Sequence, residues 1–401
     1  MGPDLQRAFQ RLVHRNPRPV RLNGPVWMWG YWHPHDGYGH ATNLTAKAIL
    51  DSGRELGIFG LHDEHAHSPR RIESAALRKR IGAKLNYEVM FSYCMGPDLQ
   101  HNPMSGGFVL LSTMWEADRM RRDWMPFLSG VDGIVVPSVF CMDAVRLSCQ
   151  DYDLSCPEIR VVGLPVNREY CKLQPRKVRT GGPFRFLFVS TPCDRKGIDI
   201  LVSAFKSAFE GRGPEKVRLH LHTRWDGLVP NPIADKVKAW AEADPRVTVT
   251  TNSLNVREMI KLYGRHDCLV HVARGEGFGM TPIQAMATGM PTICVDAHGC
   301  KEFVRLGNAW PVEILGWEDT KHPFYPGGRW TIPSAEHAAF QMQQVYDMRE
   351  DAIEAARIGA PMIWKEFREA AIGRKFVVAL EDLIRCHNRR LKDARVAKAG
   401  S

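Results

Sequence analysis

Apolar and polar positions along this chain fall into blocks that read as strands followed by helices. Val26-Trp-Met-Trp-Gly-Tyr-Trp32 is a near-continuous apolar run, as expected of a buried strand, and the polar stretch His33-Pro-His-Asp-Gly-Tyr-Gly39 reads as the loop after it. Over residues 40–50 the spacing becomes helical, with apolar residues at Ala41, Leu44, Ala48 and Ile49. The same logic returns at Phe108-Val-Leu-Leu-Ser112, a strand. Met120, Trp124 and Phe127 then mark a helix, and Gly133-Ile-Val-Val-Pro137 marks the next strand. A new series begins at Phe184-Arg-Phe-Leu-Phe-Val-Ser190 and leads into a helix with Ile198, Leu201, Phe205 and Phe209 on one face. Further strands are predicted near 217–222, 246–250, 267–272 and 291–296, and long helices over 335–358 and 363–392. Alternating strands and helices imply an α/β fold whose parallel sheets are covered on both faces.

A length of 401 residues exceeds one compact core and predicts two domains. The polar, Pro/Gly-bearing stretch Lys172-Leu-Gln-Pro-Arg-Lys-Val-Arg-Thr-Gly-Gly182 reads as the linker. The expected organisation is a basic extension over 1–23, a first α/β domain over 24–177, a second over 178–360, and a closing helix with a basic tail over 361–401. No apolar run approaches the ~20 residues of a membrane-spanning helix, and no signal-peptide core stands at the start. The ten cysteines include no Cys-x-x-Cys pair, which favours reduced, buried thiols and a cytoplasmic protein, free or peripheral to a membrane, over a disulfide frame or a zinc site.

The net charge of +10 is concentrated at the ends. Arg7, Arg11, Arg15, Arg18 and Arg21 face only Asp4 within residues 1–21. Arg385, Arg389, Arg390, Lys392, Arg395 and Lys398 face only Asp393 within 385–398. Basic ends of this kind serve polyanions such as nucleic acid, an anionic membrane surface or a charged glycan, or are simply solvated. Residues 4–15 also carry Leu5, Phe9, Leu12 and Val13 at helical spacing, which suits membrane contact and packing equally.

The most informative stretch is Arg274-Gly-Glu-Gly-Phe-Gly-Met-Thr-Pro-Ile-Gln-Ala-Met-Ala-Thr-Gly-Met-Pro291. It follows the apolar run Asp267–Ala273, and it reads as strand, Gly-rich turn and helix start. Thr281 is the expected N-cap, Pro282 the first helical position, and Gly289 the helix end. Bare N–H groups and the positive end of the helix dipole would both face the turn, an arrangement suited to an anion. Glu276 beside it would repel a phosphate but can accept hydrogen bonds from hydroxyls. The implied ligand is part phosphate and part polyol, as a nucleotide sugar is.

This segment resembles the donor-binding motif of retaining GT-B glycosyltransferases of the family-4 type, in which one Glu is followed by seven residues and a second Glu. Glu276 matches the first, and Gln284 stands at the second. The resemblance runs from about residue 24 to 390. Met114-Trp-Glu-Ala-Asp118 with Val135-Val-Pro-Ser138 looks like an acceptor-domain signature, Val162-Gly-Leu-Pro-Val-Asn167 like the strand end before the linker, and Phe188-Val-Ser-Thr-Pro-Cys-Asp-Arg-Lys-Gly197 like the diphosphate loop. The resemblance implies two Rossmann-like, doubly wound domains facing a central cleft, and transfer of a sugar from a nucleotide-diphosphate donor with retention of configuration. It implies no cofactor, and the absence of an Asp-x-Asp motif at a strand end implies no essential metal.

By the same resemblance Glu276 contacts donor-sugar hydroxyls and Lys196 the diphosphate. Thr191 stands where the family often has Arg, and Arg195 would compensate. Gly277, Phe278, Gly279, Met280 and Thr281 form the donor loop. Gln284 either holds the ribose, without a charge-assisted bond, or only completes a Thr-x-x-Gln capping box with Thr281. Gly37-Tyr-Gly39 lets backbone approach the ligand or is a plain tight turn. His40 touches substrate or is structural. Glu116, just past a strand end, is the candidate acid for acceptor hydroxyls.

The resemblance to retaining members implies that the leaving diphosphate takes the acceptor's proton, so that the protein's task would be orientation and charge stabilisation by Lys196, Arg195, the Gly277 and Gly279 amides and the helix dipole. His62-Asp-Glu-His-Ala-His67 offers metal-ligand chemistry without recognisable spacing and reads as a polar loop. The competing readings are a nucleotide-sugar-binding protein that has lost catalysis, and a GT-B epimerase. The acceptor expected from the basic ends is anionic or borne on an anionic surface, as modified DNA bases and membrane glycolipids are.

Overall fold

The computed structural model describes residues 17–32, 37–58, 72, 74–83, 88–95, 107–173, 177–179, 181–225, 231–304 and 309–399. The His62–His67 run and the 4–15 segment lie outside these. The chain divides into two compact units. Unit 1 is Met1–Pro165 with Lys321–Gly328 and Glu369–Ser401; unit 2 is Val166–Thr320 with Arg329–Arg368. The change of unit at Pro165–Val166 falls upstream of the polar linker chosen from sequence. The segment Arg168–Leu173 forms a 3-10 turn in unit 2, where the Tyr170 ring packs 5.9 Å from that of Tyr263.

In unit 1 the strands are β1 (Val26–Gly30), β2 (Leu56–Ile58), β3 (Val89–Tyr93), β4 (Phe108–Ser112), β5 (Gly133–Val136) and β6 (Glu158–Val161). They form one sheet in the order β2-β1-β3-β4-β5-β6, and every pairing is parallel. The closing helix Glu369–Ala399 buries Phe376, Leu380, Leu383 and Ile384 in this unit, with the Phe376 ring 5.0 Å from that of Phe91. Beyond Leu391 that helix is exposed.

In unit 2 the strands are β7 (Phe184–Ser190), β8 (Val217–Thr223), β9 (Val247–Thr250), β10 (Cys268–His271), β11 (Thr292–Val295) and β12 (Trp310–Val312). Their order is β12-β11-β10-β7-β8-β9, again all parallel. The helix Ile198–Ala208 buries the predicted face: Ile198, Leu201 and Phe205, with Phe209 just beyond, all join the core of Phe184, Phe186, Phe188, Leu219 and Val270. An antiparallel ribbon, β13 (Ile314–Asp319) with β14 (Arg329–Pro333), is appended.

Several local expectations change. The polar positions 37–39 do not form a loop; Gly37 opens the helix Gly37–Asp51. The helix expected around Met120–Phe127 is only Met125–Ser129, because the Met120 amide donates to Ser148 Oγ (2.8 Å) and the Trp115 indole N–H to the Arg119 carbonyl (2.6 Å). The two long C-terminal helices are three: Ala335–Asp347, Arg349–Phe367 and Glu369–Ala399. Breaks fall at Met348 and Arg368, while Pro361, which removes one amide donor, lies inside the middle helix. Burial of Ala360, Ile363 and Phe367 holds that helix across the missing bond.

Candidate functional site

The order of strands in unit 2 reverses between β7 and β10. Loops leaving two such strands diverge to opposite faces and leave a crevice at the strands' carboxyl ends, where ligands of doubly wound folds bind. Arg195 and Lys196 leave β7, and Glu276 leaves β10. The two loops are stitched together: Arg195 donates to the Gly275 carbonyl at 2.6 Å, and the Arg274 amide donates to the Arg195 carbonyl at 2.7 Å. Arg274 also holds the Asp199 carboxylate through two bonds of 2.8 and 2.7 Å.

Glu276 is the centre of the cluster and only 7% exposed. Lys196 Nζ donates to its Oε1 at 2.5 Å, Arg195 lies 3.5 Å from Oε2, and His271 Nε2 lies 3.2 Å from Oε1. Burial opposes ionisation of Glu276, but Lys196, His271 and Arg195 outweigh it and hold the carboxyl well below its ordinary range. Burial likewise opposes protonation of His271, and Cys300 and Glu276 outweigh it and raise that imidazole. One carboxylate therefore faces two fixed cations, and the cluster keeps a surplus of positive charge.

The helix Met280–Ala287 begins beside this cluster. Its N-cap is Gly279 at φ 99°, with no side-chain cap, so Thr281 lies inside the first turn and the Thr281–Gln284 capping box is not formed. A left-handed cap of this kind favours glycine, and it leaves the first amides of the helix without a side-chain acceptor. Gln284 is buried, and its Oε1 accepts from Tyr263 Oη at 3.5 Å. Gly289 ends the helix as expected: at φ 67° its amide donates to Met286 O (2.9 Å) and that of Met290 to Ala285 O (3.2 Å). The Phe278 ring is buried against Phe303 and Phe367, centroids 5.6 and 5.8 Å away, so this residue faces the loop only through its backbone. Met280 and Thr281 are half-buried and Thr191 is exposed.

A third loop, Ala297–Cys300 after β11, was not singled out from sequence. The Gly299 amide donates to the Glu276 carbonyl at 2.9 Å, and a side chain at Gly299 would overlap the Gly277 carbonyl. His298 Nε2 lies 3.0 Å from the Ala273 carbonyl; burial lowers this imidazole to about 4, so the neutral ring donates there. His271 was legible only as the one polar side chain in an apolar strand. His298 and Gly299 carry no periodic or motif signal.

The remaining sequence candidates lie in unit 1. Gly37 is exposed, Gly39 buried and His40 half-buried, all in the first turn of Gly37–Asp51. Tyr38 Oη donates to the Met114 carbonyl at 2.8 Å, joining this turn to the loop after β4. In that loop Glu116 is half-buried and accepts from Tyr325 Oη at 2.9 Å. Burial, then the Glu116 charge, push the Tyr38 phenol up. Among the described residues no three His, Cys, Asp or Glu side chains form a metal-ligand set, and no helix is long and apolar enough to cross a membrane.

Residues 183–316 match the family described as Glycosyl transferases group 1. A segment of 52 residues, 13% of the chain, is 44% identical to a putative glycosyltransferase 41 of Sulfolobus islandicus filamentous virus, and it spans only 16% of that protein's length. A solved glycosyltransferase from Rickettsia africae superposes with a TM-score of 0.64 at 14% identity, covering 90% of this chain and 99% of that one. The Anabaena protein Alr3699/HepE in complex with UDP gives a TM-score of 0.60 at 13% identity, covering 89% and 100%. The matched region coincides with the sheet, loops and helix that build the Glu276 cluster. On these findings residues 183–316 are similar to Glycosyl transferases group 1, and the chain has the fold of the GT-B glycosyltransferases.

Proposed function

We propose that the chain is a retaining glycosyltransferase that moves a sugar from a nucleoside-diphosphate donor to an acceptor hydroxyl. The observation that carries this reading is the pairing of Glu276 with Lys196 and Arg195 at the β7/β10 strand reversal, beside the glycine-capped start of Met280–Ala287. A diphosphate entering there takes Lys196, Arg195 and the first helix amides as donors. Glu276 is then released toward the sugar hydroxyls. Gln284 serves the ribose; with its amide already near Tyr263 it is oriented rather than free to rotate. In transfer, the bond between the anomeric carbon and the diphosphate oxygen breaks, the acceptor oxygen bonds to that carbon on the same face, and the acceptor proton passes to the leaving diphosphate. Lys196 and Arg195 stabilise the charge that develops there. UDP is the first nucleotide to try, because HepE is a UDP complex.

The acceptor side of this reading is unit 1, with Glu116 for acceptor hydroxyls and His40 as a substrate contact. The acceptor is anionic or borne on an anionic surface. In support, Arg18, Arg21, Arg385 and Arg389 are exposed, and the 18–20 segment is tied to the closing helix by Val20–Asn388 bonds of 3.0 and 2.9 Å. The test is an assay of nucleoside diphosphate released from UDP-, GDP-, ADP- and TDP-sugars with glycan, DNA and glycolipid acceptors, followed by NMR of the first-formed anomer. A product with the donor's anomeric configuration supports the reading. Tight nucleotide binding without turnover on any acceptor replaces it with a nucleotide-sugar-binding protein, and an inverted product removes retention.

A further inference from the structure

Six of the ten cysteines are buried, but Cys156 is exposed, against the expectation that the thiols are buried. It sits in the turn between the helix Val139–Asp151, which carries the buried Cys149, and strand β6. That turn contains Asp153 at φ 50°, a left-handed conformation that an L residue adopts at a cost. The strained turn folds the chain back so that Cys156 returns to the helix end it left. Cys149 and Cys156 line one surface pocket of about 370 Å³, together with Arg146, Asp153, Leu154 and Ile159. Within it each of the two thiols shifts the titration of the other.

From this pocket we infer that Cys156 and Cys149 form an oxidisable dithiol, with Cys156 as the attacking sulfur and Cys149 as the resolving one, which closes to a disulfide by exchange with a small-molecule disulfide. The division of labour follows from exposure. An incoming disulfide reaches Cys156 from solvent, whereas Cys149 is 1% exposed and meets only what Cys156 brings. The electrostatics agree. The neighbouring Cys149 thiol, with help from Arg146 and against burial, lowers the Cys156 thiol to about 7, and Cys156 together with burial raises Cys149. A thiol that titrates near ambient pH is the most effective attacking group in exchange.

In the first step the Cys156 thiolate attacks one sulfur of the small disulfide. The disulfide bond breaks, a mixed disulfide forms on Cys156, and one small thiolate leaves and takes a proton from solvent. Cys149 then loses its proton to solvent and attacks the Cys156 sulfur, and the second small thiolate leaves and is protonated. Two protein thiols are oxidised by two electrons, and one disulfide is reduced to two thiols. The pocket gives the small-molecule moiety of the mixed disulfide a place beside Arg146.

The test uses the folded, full-length chain and glutathione disulfide, with trapping by alkylation and peptide mapping. The expected result is that limiting alkylating agent labels Cys156 first. Glutathione disulfide should then link the Cys149 and Cys156 peptides, reversibly with dithiothreitol. In Cys149→Ala, glutathione should accumulate on Cys156, and Cys156→Ser should show neither product. Wild-type protein whose 149 and 156 peptides stay unlinked, or which links other cysteines while these two stay reduced, overturns the inference. The wild-type map decides this even where Cys149→Ala fails to fold, and it does not depend on glycosyl transfer.

Discussion

Lys196 Nζ and Glu276 Oε1 stand 2.5 Å apart, although the two residues are eighty positions apart in sequence and leave different strands. The sequence motif assigns them to different parts of the ligand, the cation to phosphate and the acid to sugar. Their pairing means that without ligand each satisfies the other. A buried pair gains little over an apolar alternative, but loss of one member leaves an uncompensated charge. The site is thus held in shape by a pair that the proposed diphosphate would have to separate.

Glu276→Gln is expected to abolish nearly all transfer and also to lower stability, by about 3 kcal/mol or more, because two cations lose their counter-charge. The same variant should bind UDP at least as tightly as wild type, since Lys196 and Arg195 no longer share their charge with a carboxylate. Calorimetric Tm with and without UDP checks both halves; weaker UDP binding contradicts the placement of the phosphate.

Gly299→Ala places a methyl group into the Gly277 carbonyl. Overpacking of this kind costs about 1–3 kcal/mol, and relief requires the Gly277 loop to move. A fall in nucleotide affinity larger than the fall in Tm predicts is expected, measured by titration of UDP.

Stability should fall in mild acid because of His222 and His266. Burial lowers them to about 4 and about 3, from 6.5 in the unfolded chain. Below pH 6.5 the unfolded chain takes up protons that the folded chain refuses, so their contribution is complete above 6.5 and is lost as pH falls toward 4. His222 bonds Thr250 Oγ1 at 2.7 Å, and His266 lies 3.0 Å from His220. Tm measured from pH 8 to 4 should drop through this window, and His222→Asn should make the drop shallower.

The two sheets were legible because their strands are buried on both faces and therefore read as apolar runs. Phe184–Ser190 and Val26–Gly30 show it directly. Leu56–Ile58, Val89–Tyr93, Glu158–Val161 and Trp310–Val312 were missed: the first and last are too short, Ser92 interrupts the second, and Glu158 and Arg160 make the third too mixed to stand out. Of the site, Glu276, Lys196 and Arg195 were legible from the motif, and their mutual contact was not, because it depends on strand order. The Thr281 cap failed for a local reason: Gly279 takes a left-handed conformation and starts the helix two residues earlier. His298 and Gly299 could not be read at all, since only the return of the chain after β11 places them on Glu276.

Lys196→Ala should weaken nucleoside diphosphate binding by roughly 1.5–3 kcal/mol, the worth of a charge-assisted contact, with little change in the Ile198–Ala208 helix that follows it.

In the proposed function the Lys196–Glu276 cluster receives the diphosphate of a sugar donor. Thermal denaturation of wild type and Lys196→Ala against UDP-, GDP-, ADP- and TDP-sugars tests it most directly. At ~100 times its dissociation constant a ligand adds about 2.7 kcal/mol to the folded state. One donor stabilising wild type, and the variant much less at equal concentration, is the predicted result. Equal stabilisation of both proteins would contradict the claim.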